Sequence, residues 1–229
     1  MSCQLEIQDL GIIAYEPALK VQHELQNQVV NQRNLAPSTF HLLLLEHDPP
    51  VITVSKRPSA SDHLLATEQQ LQEAGIQVCA TNRGGDITYH GGGQLVGYPI
   101  FDLNALSLRL HGYMRFLESI VIGSLAQYDI EACHDECATG VWVGDAKICA
   151  MGVRVSRWVS MHGFALNVNP NMEHFDFIVP CGLTGRKVTS MREILGSKCP
   201  SMSEVKQVVT EQFRSAITRQ VQVQQGPHQ

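Results

Sequence analysis

The sequence predicts an α/β protein in which a mixed sheet is flanked by helices. Three observations predict it: short apolar runs closed by proline or glycine, longer segments with apolar residues at helical spacing, and a Gly-Asp turn that folds two apolar runs of the second half onto each other. At 229 residues, with 44% hydrophobic and 17% charged residues, the whole chain, 1–229, is expected to form a single catalytic-sized domain with a proper core.

In order, Gln4 to Leu10 is expected as a first strand. From Tyr15 to Asn34 the apolar positions Ala18, Val21, Leu25 and Val29 fall at helical spacing among glutamines and asparagines. Phe40 to Glu46 is an apolar run ended by Asp48-Pro49-Pro50, which predicts a buried strand with Val51 to Val54 as its successor. Ser55 to Asp62, holding Pro58, is a loop. Thr67 and Gln70 have the capping-box spacing and open a short helix closed by Gly75; Ile76 to Ala80 is then a strand leading into a glycine-rich stretch. Leu106 to Tyr128 carries the longest helical pattern, with Leu110, Met114, Leu117, Val121 and Leu125 on one face. Ile130 to Trp142 is irregular. Val141 to Val143, the turn Gly144-Asp145 and the run Lys147 to Val155 form a hairpin, and Trp158 to Val168 returns as a further antiparallel strand. Asn171 to Pro180 reads as a loop and Thr189 to Leu195 as a short helix stopped by Gly196. Ser201 and Glu204 repeat the capping-box spacing and start a last helix with Val205, Val208, Val209, Phe213 and Ile217 inward, after which Gln222 to Gln229 reads as a frayed, disordered tail. The core is expected to include Leu43, Leu45, Ile52, Val54, Ile87, Leu117, Val121, Val153 and Leu166.

A net charge of −5 argues against nonspecific nucleic-acid binding, which wants a basic surface. Seven cysteines, an odd number with no C-x-x-C pair, fit a reducing compartment better than a disulfide framework. Met1 to Glu6 has neither the basic start nor the apolar core of a signal peptide, and no apolar run approaches membrane-spanning length, so the expected location is cytoplasmic with no membrane partner.

The most informative stretch is Arg83-Gly84-Gly85-Asp86-Ile87-Thr88-Tyr89-His90-Gly91-Gly92-Gly93-Gln94. Glycine lets a ligand or another strand lie close to the backbone. Asp86 to Tyr89 reads as a short strand with Ile87 and Tyr89 on one face and Thr88 on the other. A strand end between two glycine loops, carrying Arg83 and His90, builds a narrow site, although tight turns in a β-rich region would use glycine too. Three consecutive glycines after His90 cost entropy that folding must offset, which points to function there.

Elsewhere, Cys181 is framed by Pro180 and Gly182, which holds the thiol on a turn; a lone cysteine is otherwise a buried small hydrophobe, the reading given to Cys3, Cys79, Cys149 and Cys199. Lys147 follows a turn at the start of an apolar strand, where on the residues alone its ammonium belongs in water. Cys133-His134-Asp135-Glu136-Cys137 has a tolerable metal-ligand spacing but no second ligand pair, so no metal is expected and the segment reads as an exposed loop.

The glycine stretch resembles the pattern R-G-G-x-x-T-x-H-G-P-G-Q of the lipoyl(octanoyl) transferase family, related to the biotin and lipoate protein ligases. It departs from that pattern at Gly92, where the family has proline. Val179-Pro180-Cys181-Gly182 matches the family's P-C-G motif, Lys147 to Gly152 its K-I-x-x-x-G context, and His162 to Asn167 its H-G-x-A-L-N strand, so the resemblance spans roughly Arg83 to Gly182. It implies the biotin/lipoate ligase type of α/β fold, with Cys181 as nucleophile and Lys147 as its partner. It implies a substrate site lined by Arg83, Gly84, Gly85, Asp86, Ile87, Thr88, Tyr89 and His90, by Ala150, Met151 and Gly152, and by Gly163, Phe164 and Ala165. It further implies that Cys181, Lys147 and His90 converge on one pocket.

The implied activity moves an octanoyl (or lipoyl) group from octanoyl-acyl carrier protein to a lysine on lipoyl domains of 2-oxoacid dehydrogenases or the glycine cleavage H protein, with no cofactor. A cysteine thioester splits one difficult step into two; an ammonium near the thiol favours the reactive thiolate, and backbone N–H groups near Cys181 or in the glycine loops would hold the oxyanion. Arg83, Arg154, Arg157, Arg186 and Lys187 are candidates for the rim that meets acidic carriers. Three rivals remain: an ATP-dependent lipoate or biotin ligase, which has no use for Cys181; an amidotransferase between lipoyl domains; and a non-catalytic acyl-binding module. An esterase reading of His90-Gly91-Gly92-Gly93 lacks the required G-x-S-x-G.

Overall fold

From the N-terminus the chain lays down β1 (Cys3–Ile13), crosses as α1 (Tyr15–Asn31) and returns as β2 (Ser38–His47), parallel to β1. The computed structural model describes residues 3–33, 37–136, 138–180 and 185–225. Proline has no N–H to give a ladder, and after Asp48-Pro49-Pro50 the chain leaves this sheet. β3 (Val51–Val54), α2 (Glu68–Glu73), β4 (Gln77–Ala80) and β5 (Ile87–His90) follow, and the strands form a separate three-stranded sheet in the order β4-β3-β5. The strand from Val51 is therefore not the neighbour of its predecessor.

The chain re-enters the main sheet as β6 (Gln94–Ile100), then runs through α3 (Leu110–Ala126), β7 (Cys133–His134), β8 (Val141–Val143), β9 (Ala146–Ser156) and β10 (Val159–Asn167). β11 (Lys187–Val188), α4 (Met191–Leu195) and α5 (Met202–Gln225) complete it. The main sheet is eight-stranded and mixed, in the order β1-β2-β6-β10-β9-β8-β7, with β11 parallel to β9 at Ala146 and Lys147.

Both faces of the sheet are covered, which is why β2 is a continuous apolar run rather than an alternating one. Phe40, Leu42 and Leu44 face α3 and α5, packing with Leu117, Val121, Val209 and Phe213. Leu43 and Leu45 face α1, packing with Ala18, Val96 and Tyr98. A third cluster, built on Ile52, Ile87 and Tyr89, fastens the small sheet. Of the nine expected core residues, eight are buried and Val54 is half-buried against that third cluster. Both capping boxes form: Thr67 and Gln70 exchange bonds at 3.3 and 2.9 Å, Ser201 and Glu204 at 2.7 and 3.3 Å.

Four expectations need correction. α3 begins at Leu110, because Ser107 takes φ 51° and breaks any earlier turn; Leu110, its first residue, is exposed. The inward line of α1 runs through Tyr15, Ala18, Gln22, Gln26 and Val29, with Val21 and Leu25 flanking it. Gln22 and Gln26 are inside because β10 has free backbone groups there: Gln22 Oε1 accepts from His162 N at 2.8 Å, and Gln26 Nε2 donates to Val159 O at 2.9 Å. The segments expected as irregular hold β7 and a 3-10 turn, Met172–Phe177, whose Phe175 is buried. α5 continues to Gln225, so the first four residues of the expected tail are helical, and 226–229 lie outside the described residues. Among the described residues no helix is long and apolar enough to cross a membrane.

Candidate active site

A slot opens where the small sheet meets the main one. It is lined by Arg83, Gly85, Asp86, Ile87, Thr88 and His90 from the glycine stretch, by Ala150, Met151 and Gly152 of β9, and by Gly163, Phe164 and Ala165 of β10. It encloses about 470 Å³, including the part open to solvent. Twelve of the fourteen expected substrate-site residues are thus brought together. Gly84 and Tyr89 are not. Tyr89 packs into the cluster of Ile52, Ile87 and Phe175, on the face of β5 opposite Thr88 and His90, with its hydroxyl 2.9 Å from His174 Nδ1; Ile87 shares that face and still borders the slot.

Two glycines make the slot's floor. Gly152 and Gly163 are register partners across β9 and β10, so no side chain rises from the sheet there. Their neighbours leave no choice: a Cβ on Gly152 would sit 2.5 Å from Gly84 O, and one on Gly163 would collide with Gly97 O. Gly84 N donates to Val153 O at 2.9 Å, which ties the glycine stretch to β9 at that point. The triplet Gly91-Gly92-Gly93 does different work from the one expected. None of the three lines the slot; Gly93, at φ 79°, is pressed against Asn169, whose N–H bonds Gly93 O at 2.8 Å. Gly92 has open space where a Cβ would be, so the residue that departs from the family's proline removes no contact.

Four further residues complete the lining: Tyr15, Thr53, Tyr98 and His162. The histidine of the H-G-x-A-L-N strand was the one local signal for them; Tyr15 and Thr53, on distant elements, carry none. His162 takes φ 58° within a ladder whose register to β9 is unbroken, and its Nε2 donates to Asn82 Oδ1 at 3.0 Å. Arg83 is held at the slot by Thr53, donating from Nη2 to its carbonyl and hydroxyl oxygens, both at 2.9 Å.

The hydrogen bonds fix the histidine tautomers. His47 Nδ1 donates to Ile13 O at 2.9 Å, so Nε2 is the acceptor for Tyr98 OH at 2.7 Å. His90 Nδ1 donates to Gln94 Oε1 at 2.8 Å, and Gln94 Nε2 is committed to Tyr89 O and Asn167 Oδ1, at 3.1 and 2.9 Å, which leaves His90 Nε2 as an unprotonated acceptor. Burial disfavours the charged form in each ring. It lowers His47 to about 4 and His162 to about 3, and drives His90 well below the ordinary range with the charges of His47 and Arg83 acting in the same direction. The slot therefore presents neutral imidazoles to whatever enters it.

This predicts acid sensitivity. A histidine whose folded-state pKa is depressed binds its proton first in the unfolded chain, so the stability it supports is complete above pH 6.5 and falls with pH through the window down to about 4 for His47 and about 3 for His162. Each contributes a slope of up to about 1.4 kcal/mol per pH unit. Urea unfolding between pH 6.5 and 4.5 should show His47→Asn losing roughly one such increment of slope; an unchanged slope would mean that His47 is charged in the fold.

Lys147 lies three residues before Ala150 on β9 but does not line the slot. It is buried, contrary to the water-exposed ammonium expected of a strand end. Nζ donates to Thr139 O at 2.9 Å and stands 4.7 Å from the centre of the Trp142 ring. Cys181 lies outside the described residues. The chain on its two sides is tied down: Val179 N donates to His63 O at 2.8 Å, His63 Nδ1 donates to slot-lining Asp86 at 2.7 Å, and β11 after it pairs Val188 with Lys147. Of the expected rim cations, Arg186 bonds Asp135 beside Trp142, while Arg157 sits at the distant β9–β10 turn, bonded to Asn27. Cys133 and His134 form β7, Asp135 is engaged by Arg186 and Ala138 N, and Cys137 is outside the described residues.

Residues 14–214 match the family described as the lipoyl protein ligase A/B catalytic domain. The chain is 45% identical over 218 residues to the octanoyltransferase of Flavobacterium johnsoniae, covering 90% of this chain and 93% of that one. It is 48% identical over 207 residues to the octanoyltransferase of Solibacter usitatus, covering 90% of each. A solved lipoate-protein ligase A bound with ATP superposes with a TM-score of 0.71 at 13% identity, over 95% of this chain and 86% of that one. The biotin protein ligase of Aquifex aeolicus in complex with biotin and ATP gives 0.54 at 14% identity, over 93% and 71%. At such identities the structural likeness speaks to the fold alone.

Proposed function

The chain belongs to the lipoyl protein ligase A/B catalytic-domain family, and from that membership we propose that it is an octanoyltransferase, moving an octanoyl group from acyl carrier protein to a lysine of lipoyl domains. The observation that carries the reading is the slot: a floor of Gly152 and Gly163, the small side chains of Ala150 and Ala165 beside it, and neutral histidines suit a straight alkyl chain. The names of the relatives select the octanoyl group and acyl transfer.

On this reading the Cys181 thiolate attacks the thioester carbonyl of the donor. The carrier's sulfur leaves and takes a proton from the Lys147 ammonium, giving free carrier thiol and an octanoyl-cysteine. The acceptor lysine, as neutral amine, then attacks the octanoyl-cysteine; the amide forms, Cys181 leaves as thiolate, and the amine's proton returns to Lys147. The donor is already activated, so the cycle needs neither ATP nor a cofactor. Lipoyl domains of 2-oxoacid dehydrogenases and the glycine cleavage H protein are the acceptors it implies, and a reducing cytoplasm is where such a thiol stays reactive.

Mass spectrometry after mixing with octanoyl-acyl carrier protein, without acceptor, should find one octanoyl group on Cys181 that hydroxylamine removes. An unmodified Cys181 with that donor overturns the proposal. Transfer from free octanoate plus ATP would instead identify a ligase, and loading only from an octanoylated lipoyl domain an amidotransferase.

A further inference from the structure

We infer that Glu118, on α3, is a positioning residue for Lys147, acting through the backbone of residues 138–140; the inference rests on the reading that Lys147 relays protons. Glu118 is a buried carboxylate in a largely apolar helix face. Its Oε2 accepts from Arg115 Nη1 at 2.8 Å and its Oε1 from Gly140 N at 3.1 Å. A carboxylate taken out of water is costly unless its lone pairs are used, and an ionised acceptor makes a stronger bond to a backbone amide than a neutral one.

The segment it grips is the seat of Lys147. Gly140 takes φ 126° and presents its bare Cα to the lysine stem; a Cβ there would lie 3.3 Å from Lys147 Cε, 3.5 Å from Cδ and 2.6 Å from Cys149 O. One residue back, Thr139 O accepts from Lys147 Nζ. One further back, Ala138 O accepts from Trp142 Nε1 at 3.2 Å, and the same indole lies beside the ammonium. The segment is thus pinned at Ala138 by Trp142 and at Gly140 by Glu118, with the carbonyl that receives the ammonium between the two pins. A misplacement of about 1 Å in a group that must meet a reacting atom costs on the order of 100-fold in rate. Glu118 does not touch Lys147, so its effect passes through where Thr139 O and Gly140 stand.

Single-turnover transfer and steady-state kinetics with octanoyl-acyl carrier protein test this on folded variants, checked by melting. Glu118→Gln keeps an acceptor for Gly140 N, and its kcat should stay within about 3-fold of wild type. Glu118→Met keeps the length and removes the acceptor; kcat should fall roughly 10- to 100-fold with KM for the donor within about 2-fold. A role confined to stability would lower the melting temperature and leave kcat alone. If the methionine variant does not fold, Glu118→Asp draws the carboxylate back by one carbon and should lose kcat in the same way. Wild-type kcat in Glu118→Met, or in Glu118→Asp, overturns the inference, as do equal losses in the glutamine and methionine variants. Lys147→Arg run alongside separates the two layers: if it turns over normally, the proton-relay reading has failed; if it stalls while Glu118→Met does not, only the positioning role has.

Discussion

Cys181→Ser is expected to lose octanoyl loading altogether and to reduce turnover by about 1000-fold or more, because a hydroxyl without a strong base is scarcely ionised where a thiol already is in part. Among the described residues, Cys149, Cys79 and Cys199 do not offer a substitute nucleophile that the fold favours. Burial pushes the thiols of Cys149, Cys79 and Cys199 up, Cys149 furthest as a fully buried residue of β9. Cys149→Ser and Cys79→Ser should therefore retain acyl loading, although a hydroxyl at Cys149 costs roughly 1–3 kcal/mol of stability without a good partner. Initial rates of octanoyl transfer, with the mass of the loaded enzyme for each variant, check the set. Turnover of Cys181→Ser within 10-fold of wild type would remove the covalent mechanism.

Lys147→Arg should give an enzyme that loads and then stalls. The guanidinium still supplies positive charge near the site of thiolate formation, and in this variant the carrier's sulfur, a good leaving group as thiolate, takes its proton from water instead. A guanidinium that stays protonated at neutral pH cannot, however, accept a proton from the incoming amine. The second half-reaction should slow by about 100-fold or more while the octanoyl-enzyme accumulates. The seat is also shaped for a lysine: the ammonium donates to Thr139 O, and the stem lies on Gly140, which leaves little room for a planar fork. Quenched-flow measurement of the two half-reactions distinguishes a stalled acyl-enzyme from one that fails to load. Equal transfer rates for the arginine variant and wild type would take Lys147 out of the reaction.

Much of the site was legible because its residues carry constraints that are local. The glycines of the floor are demanded by backbones passing too close for a Cβ, and such positions show as Gly152 and Gly163 in recognisable strings. The capping boxes, the hairpin at Gly144-Asp145 and the apolar run of β2 likewise depend on residues within a few positions of each other. The face taken by Tyr89 was readable too, since alternation places it opposite Thr88 and His90 on a strand of four residues, but not its departure from the slot, because Ile87 on the same face borders it.

What only the tertiary structure decided is where elements with the same local pattern go. Val51 to Val54 reads as a strand in either sheet, and its assignment to the small one came from Gln77 to Ala80 on one side and Ile87 to His90 on the other. α1 turned its glutamines inward because β10 offered them backbone partners 140 and 133 residues away, a pairing no helical periodicity encodes. Tyr15, Thr53 and Tyr98 reached the slot, and Lys147 was buried on a carbonyl fixed by Glu118, for the same reason. The sequence by itself determined which backbones must pass close and which segments are strands or helices, because steric exclusion and hydrophobic period act over a few residues. The direction of a polar side chain was left to the fold, because the free energy of burying it depends on a partner that only long-range packing brings within hydrogen-bond reach.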